Sequence, residues 1–389
     1  MKSKLKALAL AFSLSLFFAA CQKEKNQLSS EDNSSGDAIS DESSNNNEEA
    51  RQSLGHVYAL TNATSGNEVL VYDRALNGML TYSGSCASGG NGSGGGLGNQ
   101  GGVILADEGE VLLAVNAGSN SISSFNINNN GLHLKSTVSS GGMTPVSIAQ
   151  HDDIVFVLNG GGTNNISGFK LKDNGKLYPI PNSTRPLSAA STGPAQISFI
   201  KGGKVLVVTE KATNKIITYT VNEYGIPGMM HSRNSSSATP FGFEKKNGNI
   251  FVSEAVGGAP GASVLSSYDI SNNGIITLIA GSVGAGQSAA CWVVITNNGK
   301  YAYTTNTASN NISTFDITNT GGISVSQAIS ATTEAGPVDA ALSENSKYLY
   351  VRNGTGKSIQ AYTVSNNGSL NLIQTVTGLP MGANGLTAN

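Results

Sequence analysis

The chain has 389 residues, which is enough for two average domains or for one array of repeats. Only 12% of the residues are charged and 48 are glycine, a composition that favours many short strands joined by tight turns. A net charge of −2 without clustered Lys and Arg excludes a basic footprint, so no nucleic-acid partner is expected. The three cysteines are far apart and form no Cys-x-x-Cys pair, so neither a zinc site nor a disulfide framework is indicated. No metal and no cofactor is predicted.

Residues 1–20 have the pattern of a bacterial lipoprotein signal peptide. Three lysines in the first six residues precede an apolar run that is too short to cross a bilayer comfortably. The run ends in Ala19-Ala20-Cys21, and small residues directly before a cysteine resemble a lipobox, in which the cysteine is acylated. This resemblance predicts lipidation of Cys21 and a membrane as the partner of the N-terminus. Ordinary cleavage near Ala20, which leaves Cys21 unmodified, is the alternative.

Residues 21–52 are predicted to form an acidic, disordered tether. They contain almost no apolar side chains, so they have too little to bury to offset the cost of ordering the chain. Lys23-Glu24-Lys25 resembles the signals that sort some Gram-negative lipoproteins outward. We therefore expect a lipid-anchored protein of the bacterial cell envelope, at the outer membrane or the cell surface.

Residues 53–389 contain seven repeats, each with short alternating strands. Every repeat can be aligned on the polar residue that ends an apolar strand, and successive alignment residues lie 43 to 54 positions apart. That spacing is typical of four-stranded propeller blades. The alignment residues are Asn62, Asn116, Asn159, Glu210, Glu254, Asn306 and Asn353.

Proline and glycine residues typical of turns recur at equivalent positions in these repeats. A proline opens the preceding strand in most of them, as at Pro194 and Pro337, and an Asn-Gly or related turn joins the third and fourth strands. The first repeat begins directly with its second strand, while residues 379–386 are left over after the seventh. We therefore predict an all-β, seven-bladed propeller, closed by a C-terminal strand in blade one. A linear β-solenoid is the alternative, although its repeats are shorter.

Two passages carry a family resemblance. TPFGFEKKNGNIFVSEAVGGAPGASVLSSYDI (239–270) and AACWVVITNNGKYAYTTNT (289–307) resemble secreted bacterial members of the lactonase-type seven-bladed propellers. This family includes 6-phosphogluconolactonase and carboxymuconate lactonizing enzyme. The resemblance covers the propeller and not the tether. It implies a propeller fold, and it implies lactone hydrolysis as the activity.

In a propeller, the ends of the second strands meet on one face around the central channel. Glu210 and Glu254 end equivalent strands of consecutive blades, so we predict them as the base and electrostatic partner for water attack on an ester. The alternative is that these carboxylates cap backbone amides of a neighbouring loop. Ligand-binding residues are predicted near the same face: Gln196, Trp292, Asp339, Arg352, Asn306 and Asn353.

The sequence departs from the pattern that the lactonase resemblance implies, which is an Arg-His pair just after a Gly-Pro. Ala195-Gln196 follows Pro194, and Val338-Asp339 follows Pro337, so no histidine occupies either place. Loss of this pair removes an oxyanion stabiliser and a general base. Arg185 and Arg352 are the remaining candidates for holding an anionic lactone.

Three further features allow two interpretations each. Cys291 and Trp292 begin an innermost strand and either face the channel or pack in the core. The glycine-rich stretch 88–102 lacks the Lys-Ser/Thr ending of a phosphate-binding loop, so we interpret it as a mobile loop over the channel mouth. A disulfide between Cys86 and Cys291 is conceivable, because both flank that face.

Two functions therefore remain open from the sequence. The first is a membrane-anchored lactone hydrolase that uses Glu210 and Glu254. The second is a noncatalytic propeller that binds a small molecule, a carbohydrate or a protein and has lost the Arg-His pair.

Overall fold

A computed structural model describes residues 53–389, which form a ring of seven antiparallel sheets. The fold is the predicted all-β, seven-bladed propeller. The predicted signal peptide (1–20) and the whole predicted tether (21–52), including Cys21, lie outside the residues that the structure describes. Within 53–389, no helix is long and apolar enough to cross a membrane.

The strands follow one another in chain order around the ring. Blades one and two contain β1 Ser53–Leu60, β2 Glu68–Ala75, β3 Leu80–Ala87, β4 Val103–Ala106, β5 Val111–Asn116, β6 Ser121–Asn128 and β7 Gly131–Ser139. Blades three and four contain β8 Met143–His151, β9 Ile154–Gly161, β10 Asn165–Leu171, β11 Leu177–Pro179, β12 Arg185–Pro186, β13 Pro194–Ile200, β14 Val205–Glu210, β15 Lys215–Val221 and β16 Pro227–Asn234. Blade five contains β17 Pro240–Lys246, β18 Asn249–Glu254, β19 Val264–Ile270 and β20 Ile276–Gly284. Blade six contains β21 Ala290–Ile295, β22 Tyr301–Asn306, β23 Asn311–Ile317 and β24 Ile323–Thr332. Blade seven contains β25 Pro337–Leu342, β26 Tyr348–Asn353, β27 Ser358–Val364 and β28 Leu370–Thr377, and the chain ends in β29 Asn384–Ala388. Two short 3-10 helices, Asp107–Gly109 and Val256–Gly258, lie in turns.

The last strand closes the ring as predicted. The sheet of blade one has the order β29-β1-β2-β3, so β29 is its innermost strand. The strand begins later than the predicted stretch 379–386. Pro380 has no N–H to donate to a strand ladder, and its carbonyl accepts the Ala383 N–H at 3.2 Å in a turn. The strand therefore begins only after this turn.

Tyrosines in the second strands join neighbouring blades. Tyr303 Oη donates to the Gly368 carbonyl at 3.0 Å, and Tyr350 Oη donates to the Gly78 carbonyl at 3.0 Å. Both glycines have positive φ in the turn between strands three and four. A Cβ at Gly78 would lie 2.2 Å from the ring of Tyr348, so the glycine also makes room for the tyrosine of the adjacent blade.

Blade three departs from the regular pattern. Its outer edge is divided between β11 and β12, which both pair with β10. Prolines at 179, 181 and 186 cannot donate to a strand ladder, so a continuous fourth strand does not form. The apolar core lies between the blades, where most residues of the second strands are buried and all six residues of β14 are.

Candidate functional site

The seven alignment residues lie on one face of the ring, which we call the ring face, and all seven are buried. Glu210 ends β14 and Glu254 ends β18, in adjacent blades. The sequence therefore brings the two carboxylates to the same face. What remains is whether their oxygen atoms are available to a ligand.

Glu210 holds the loop that enters blade four. Its Oε1 accepts the Ser188 N–H at 3.0 Å, and its Oε2 accepts the hydroxyls of Ser188 and Thr213. The side chain has no exposed surface. Both carboxylate oxygens are therefore occupied by the protein's own donors, as in the capping alternative.

Glu254 has the same role in blade five. Its Oε1 accepts the Ser236 N–H at 3.0 Å and the Tyr268 hydroxyl at 2.8 Å. Its Oε2 accepts the Ser237 N–H at 2.9 Å and the Ser266 hydroxyl at 2.8 Å. Burial raises the pKa of Glu254 to about 7, although these four hydrogen bonds act in the opposite direction.

The asparagines of the other blades make equivalent contacts. Asn306 Nδ2 donates to the Asn311 side chain at 2.7 Å and to the Ser313 hydroxyl at 2.8 Å. Asn353 Nδ2 donates to the Ser358 hydroxyl at 3.1 Å and to Gln360 Oε1 at 3.0 Å. Each alignment residue thus links the second strand of a blade to its third strand or to the preceding loop.

The glycine-rich loop closes the channel at the ring face. Gln100 Nε2 donates to the Val293 carbonyl at 2.8 Å, and the Gln100 backbone carbonyl accepts the Ser147 hydroxyl at 2.7 Å. The Gln100 N–H donates to the Ala195 carbonyl at 3.1 Å. We call residues 98–102 the plug. Because these bonds join blades three, four and six across the channel, the loop is tied down, whereas the sequence suggested a mobile loop.

An aromatic cluster surrounds the plug. Trp292 Nε1 donates to the Asn99 carbonyl at 2.8 Å, and its ring packs 5.0 Å from that of Phe241, centroid to centroid. Lys211 Nζ lies 4.6 Å from the Phe241 centroid and donates to the Gly98 carbonyl, and burial lowers the pKa of Lys211 to about 8. Trp292 is therefore a packing partner of the plug rather than part of the channel wall.

Cys291 belongs to this cluster and not to a catalytic pair. Burial raises the pKa of its thiol to about 11, which disfavours the nucleophilic thiolate. The thiol is free, so the disulfide with Cys86 that the sequence allowed is not formed.

Behind the plug, the channel contains a cavity of about 390 Å³, lined by residues from the innermost strands of all seven blades. It extends from Gln100 and Asp339 to Gln150 and Lys245, where the innermost strands end. Aliphatic residues such as Ile148 contribute to its wall, but most of the lining surface is polar. Its polar and charged lining residues are Gln100, Gln150, Gln196, Ser198, Glu244, Lys245, Asp339 and Thr387.

Gln196 and Glu244 belong to neighbouring innermost strands of this channel. Gln196 Oε1 accepts the Phe243 N–H at 2.7 Å, which fixes the orientation of its amide. Glu244 Oε1 accepts the Lys245 N–H at 2.8 Å. Glu244 is partly exposed in the channel, but burial inside the ring raises the pKa of its carboxyl.

Asp339 and Arg352 lie where β29 meets blade seven. Arg352 donates to the carbonyls of Ala383, at 2.5 Å, and Val338, at 3.1 Å, and so ties the closing segment to β25. Burial raises the pKa of Asp339 to about 7, although the nearby Arg352 guanidinium lowers it. Asp339 lines the cavity, whereas Arg352 does not. Two of the predicted ligand-binding residues, Gln196 and Asp339, thus line the channel cavity. The other four do not: Trp292, Arg352, Asn306 and Asn353.

The other arginine considered from the sequence lies elsewhere. Arg185 donates to the carbonyls of Asn182, Thr184 and Pro227 at the outer edge of blades three and four. Between residues 53 and 389, no group of three His, Cys, Asp or Glu side chains is placed to hold a metal ion.

Glu244, Gln100 and Lys211 were not singled out from the sequence. Glu244 follows the proline of its strand by four positions, so strand alternation alone could have indicated an inward side chain. Gln100 and Lys211 depend on how a long loop crosses the ring, and nothing in the repeat pattern specifies that path.

The solved structures that resemble this chain are seven-bladed propellers of low sequence identity. A protein from Bacteroides uniformis ATCC 8492, described provisionally as a 6-phosphogluconolactonase, is 19% identical, with a TM-score of 0.67 over 85% of this chain and 99% of its own. A protein from Lactobacillus plantarum is 17% identical, with a TM-score of 0.69 over 86% of this chain and 100% of its own. The periplasmic gluconolactonase of Pseudomonas aeruginosa is 14% identical, with a TM-score of 0.66 over 85% and 98%. No protein-family model and no curated protein matches this sequence.

This chain has the fold of the lactonase-type propellers. The likeness extends around the whole ring, because it covers nearly all of the compared chains. At these identities it establishes the fold and leaves the chemistry of the site to be argued from this chain's own residues.

In this lactonase-like propeller, the two Gly-Pro positions carry side chains that are already engaged. Gln196 binds the backbone of the next blade, and Asp339 Oδ1 accepts the Ala340 N–H at 2.9 Å. A substrate here would therefore meet amide and carboxyl groups in the channel, and not an arginine and histidine pair.

Proposed function

We propose that this protein is an envelope-anchored, lactonase-like propeller that binds a small polar ligand in its central channel. The observation that supports ligand binding is the cavity of about 390 Å³ beside Gln196, Glu244 and Asp339. Its size is within the range of small-molecule sites, and its lining surface is mainly polar, which suits a polar ligand. Amide and carboxyl groups suit a ligand rich in hydroxyls, of the class of sugars and sugar acids.

Thermal unfolding with glucose, gluconate and gluconolactone as probes tests the binding proposal. A ligand at 100 times its Kd stabilises a protein by about 2.7 kcal/mol, which raises Tm measurably. We expect a shift with at least one probe in the unmodified protein and in the matched control Glu223→Gln, whose side chain is exposed in the turn after β15. The shift should shrink in Glu244→Gln. Unchanged Tm with every probe, or an equal shift in Glu244→Gln, would count against channel binding.

Lactone hydrolysis by Glu210 and Glu254 is the second candidate. A pKa of about 7 for Glu254 suits a general base at neutral pH. The fold shared with a periplasmic gluconolactonase also favours it. The burial of both carboxylates argues for the binding function first, because a substrate would have to displace the serines that now donate to them.

Hydrolysis of gluconolactone by Glu210→Gln and Glu254→Gln separates the two functions, provided that folding is measured as well. Glu254→Gln places an amide against donors from Ser236, Ser237, Ser266 and Tyr268, so we expect a loss of about 1–3 kcal/mol in unfolding free energy. Turnover that disappears in folded Glu210→Gln and Glu254→Gln protein would establish the hydrolase. If the unmodified protein shows no turnover, or if both variants keep its turnover, the two carboxylates have a structural role and not a catalytic one.

The anchor is proposed from Cys21, which lies outside the described residues. Acylation there would hold the ring at the bacterial envelope, at the outer membrane or the cell surface. The protein expressed with its signal should partition with membranes, and Cys21→Ser should release or misprocess it. If the variant partitions with membranes as the unmodified protein does and has an unchanged mass, Cys21 is not the site of a lipid anchor.

A further inference from the structure

The plug presents three consecutive backbone carbonyls to side-chain donors from three different blades. The carbonyls of residues 98–100 accept hydrogen bonds from the Lys211 ammonium, the Trp292 indole N–H and the Ser147 hydroxyl, in that order. The bonds from Trp292 and Ser147 are 2.8 and 2.7 Å long. Blades four, six and three thus direct donors at one place, the ring-face end of the channel, and the chain fills that place with its own oxygen atoms.

The cation among these donors is not required by the repeat. In six blades the residue that follows the alignment residue is small or uncharged, and in blade four it is a lysine. The seven residues are Ala63, Ala117, Gly160, Lys211, Ala255, Thr307 and Gly354. A blade can therefore form without a charge at this position, and the role of Lys211 has to be found in what its amine contacts.

The Lys211 ammonium is held against a neutral oxygen atom. Among residues 53–389 it has no ion-pair partner, and the neighbouring Glu210 carboxylate is turned to Ser188 and Thr213. Burial lowers the pKa of Lys211 to about 8, although the nearby Cys291 thiol acts in the opposite direction. Because a hydrogen bond between two charged groups is stronger than one to a neutral carbonyl, a carboxylate would satisfy this amine better than Gly98 does.

Aromatic rings lie directly beside the three donors. The Lys211 amine is 4.6 Å from the centroid of the Phe241 ring, and the Phe241 and Trp292 centroids are 5.0 Å apart. An aromatic surface beside a few fixed polar groups is the usual composition of a small-molecule site. The donors suit a carboxylate and hydroxyl oxygens, and the rings suit the carbon skeleton between them.

The segment that leads into the plug is built to move as a unit. It belongs to the irregular stretch 88–102, and loops of this length are often functional. Residues 94–96 are exposed glycines, and a Cβ on either of the last two would meet nothing within 4 Å. Leu97 is half-buried and packs against the core. The Gly101 carbonyl accepts the Ile148 N–H at 2.9 Å, so an outward movement of residues 94–100 would turn about Gly101, which has a φ of +78°.

We propose that residues 98–100 occupy the site of a sugar acid, which displaces them to bind Lys211, Trp292 and Ser147. The carboxylate replaces the Gly98 carbonyl at Lys211, and hydroxyl oxygens replace the other two carbonyls. Since Gln100 separates the ring face from the cavity, its displacement joins the two spaces. The inference rests on the channel binding proposed above and narrows its ligand class to sugar acids. The plug is then autoinhibitory, because the apparent affinity falls with the fraction of molecules in which the plug is open.

Fluorescence reports the plug directly, because Trp292 is the single tryptophan of the chain. We expect gluconate to change the Trp292 emission, since it replaces the Asn99 carbonyl at the indole N–H. Sorbitol has the same number of carbons and lacks the carboxylate, so it should bind at least about 10-fold more weakly. A ligand that enters the cavity with the plug in place leaves the emission unchanged.

Two variants and a matched control identify the groups involved. Gln100→Ala removes both hydrogen bonds between the plug and Val293 and keeps the three donors, so gluconate should bind about 10-fold more tightly. This gain should be lost in Gln100→Ala/Lys211→Met. Lys357→Met removes the same charge from an exposed position on the ring face of blade seven and should leave the affinity unchanged.

Four results would overturn the inference. One is an unchanged Trp292 emission at gluconate concentrations that raise Tm, which would keep the proposed channel binding and leave the plug closed. The others are equal affinity for sorbitol, an equal effect of Lys357→Met, and a gain that persists in Gln100→Ala/Lys211→Met, which would place the ligand in the space that Gln100 vacates. An emission change that depends on Lys211, with no effect of Glu244→Gln on the Tm shift, would support the plug site and count against the cavity.

Discussion

At the scale of single residues, burial sets the chemistry of the carboxyl groups. Asp339 and Glu254 have ordinary pKa values of 3.8 and 4.5, and burial raises both to about 7. Each group is therefore easier to protonate in the folded protein than in the unfolded chain. Their contribution to stability is fully present below the unfolded pKa and is lost as pH rises through about 7.

This linkage predicts that Asp339→Asn flattens the pH dependence of stability. Between about pH 5 and about pH 8, the unmodified protein should lose on the order of 2 kcal/mol of unfolding free energy through Asp339. The variant should lose less by that amount, while the contribution of Glu254 is common to both. Urea unfolding at the two pH values measures the difference. Parallel pH profiles would show that Asp339 is ionised in the fold.

Residue roles were the least predictable part of the molecule. The strand-end position of Glu254 follows from the repeat, so its face could be predicted. Its occupation by four donors could not, because Ser236 and Ser237 lie in a loop whose path depends on the preceding blade. A carboxylate at a strand end has the same sequence signature whether it binds a loop or a substrate.

At the scale of elements, the plug explains a glycine in the first strand of blade five. A Cβ on Gly242 would lie 2.1 Å from Gln100 Oε1 and 2.7 Å from the Cys291 carbonyl. The absence of a side chain at 242 therefore allows Gln100 to cross the channel and reach Val293. The sequence shows the glycine, but only the assembled ring shows what fills the space.

Gly242→Ala should displace the plug and lower the unfolding free energy by about 1–3 kcal/mol. Gln100→Ala removes the nearer of the two clashing atoms, so the double variant should lose less than the sum of the single variants. Unfolding of the four proteins in urea gives the coupling. Strict additivity would show that Gln100 does not occupy that space in solution.

At the scale of the whole molecule, the ring depends on one strand from the far end of the chain. The missing first strand of blade one and the surplus residues after blade seven predicted this closure from the sequence alone. The prediction succeeded because strand edges must be paired and the repeat count leaves a single solution. The starting residue was misjudged, since Pro380 and the turn after it delay β29 to Asn384.

Removal of residues 379–389 should therefore destabilise the entire propeller. The deletion unpairs β1, removes Leu386 from the core, and takes away the Ala383 carbonyl that Arg352 binds. Thermal unfolding should show a large decrease in Tm and a broader transition. A matched control, Met381→Ser, changes an exposed side chain in the same segment and should melt like the unmodified protein. A truncated protein with an unchanged Tm would mean that β29 does not hold the ring together.

The ligand site can be located by a crystal structure of the protein soaked in turn with gluconate and gluconolactone. We expect electron density for a sugar in the central channel, within hydrogen-bonding distance of Gln196 or Glu244, with the serines still bound to Glu210 and Glu254. Density on the ring face beside Glu210 and Glu254, with Ser188 and Ser237 displaced, would instead assign the chemistry to those carboxylates and refute the channel as the site.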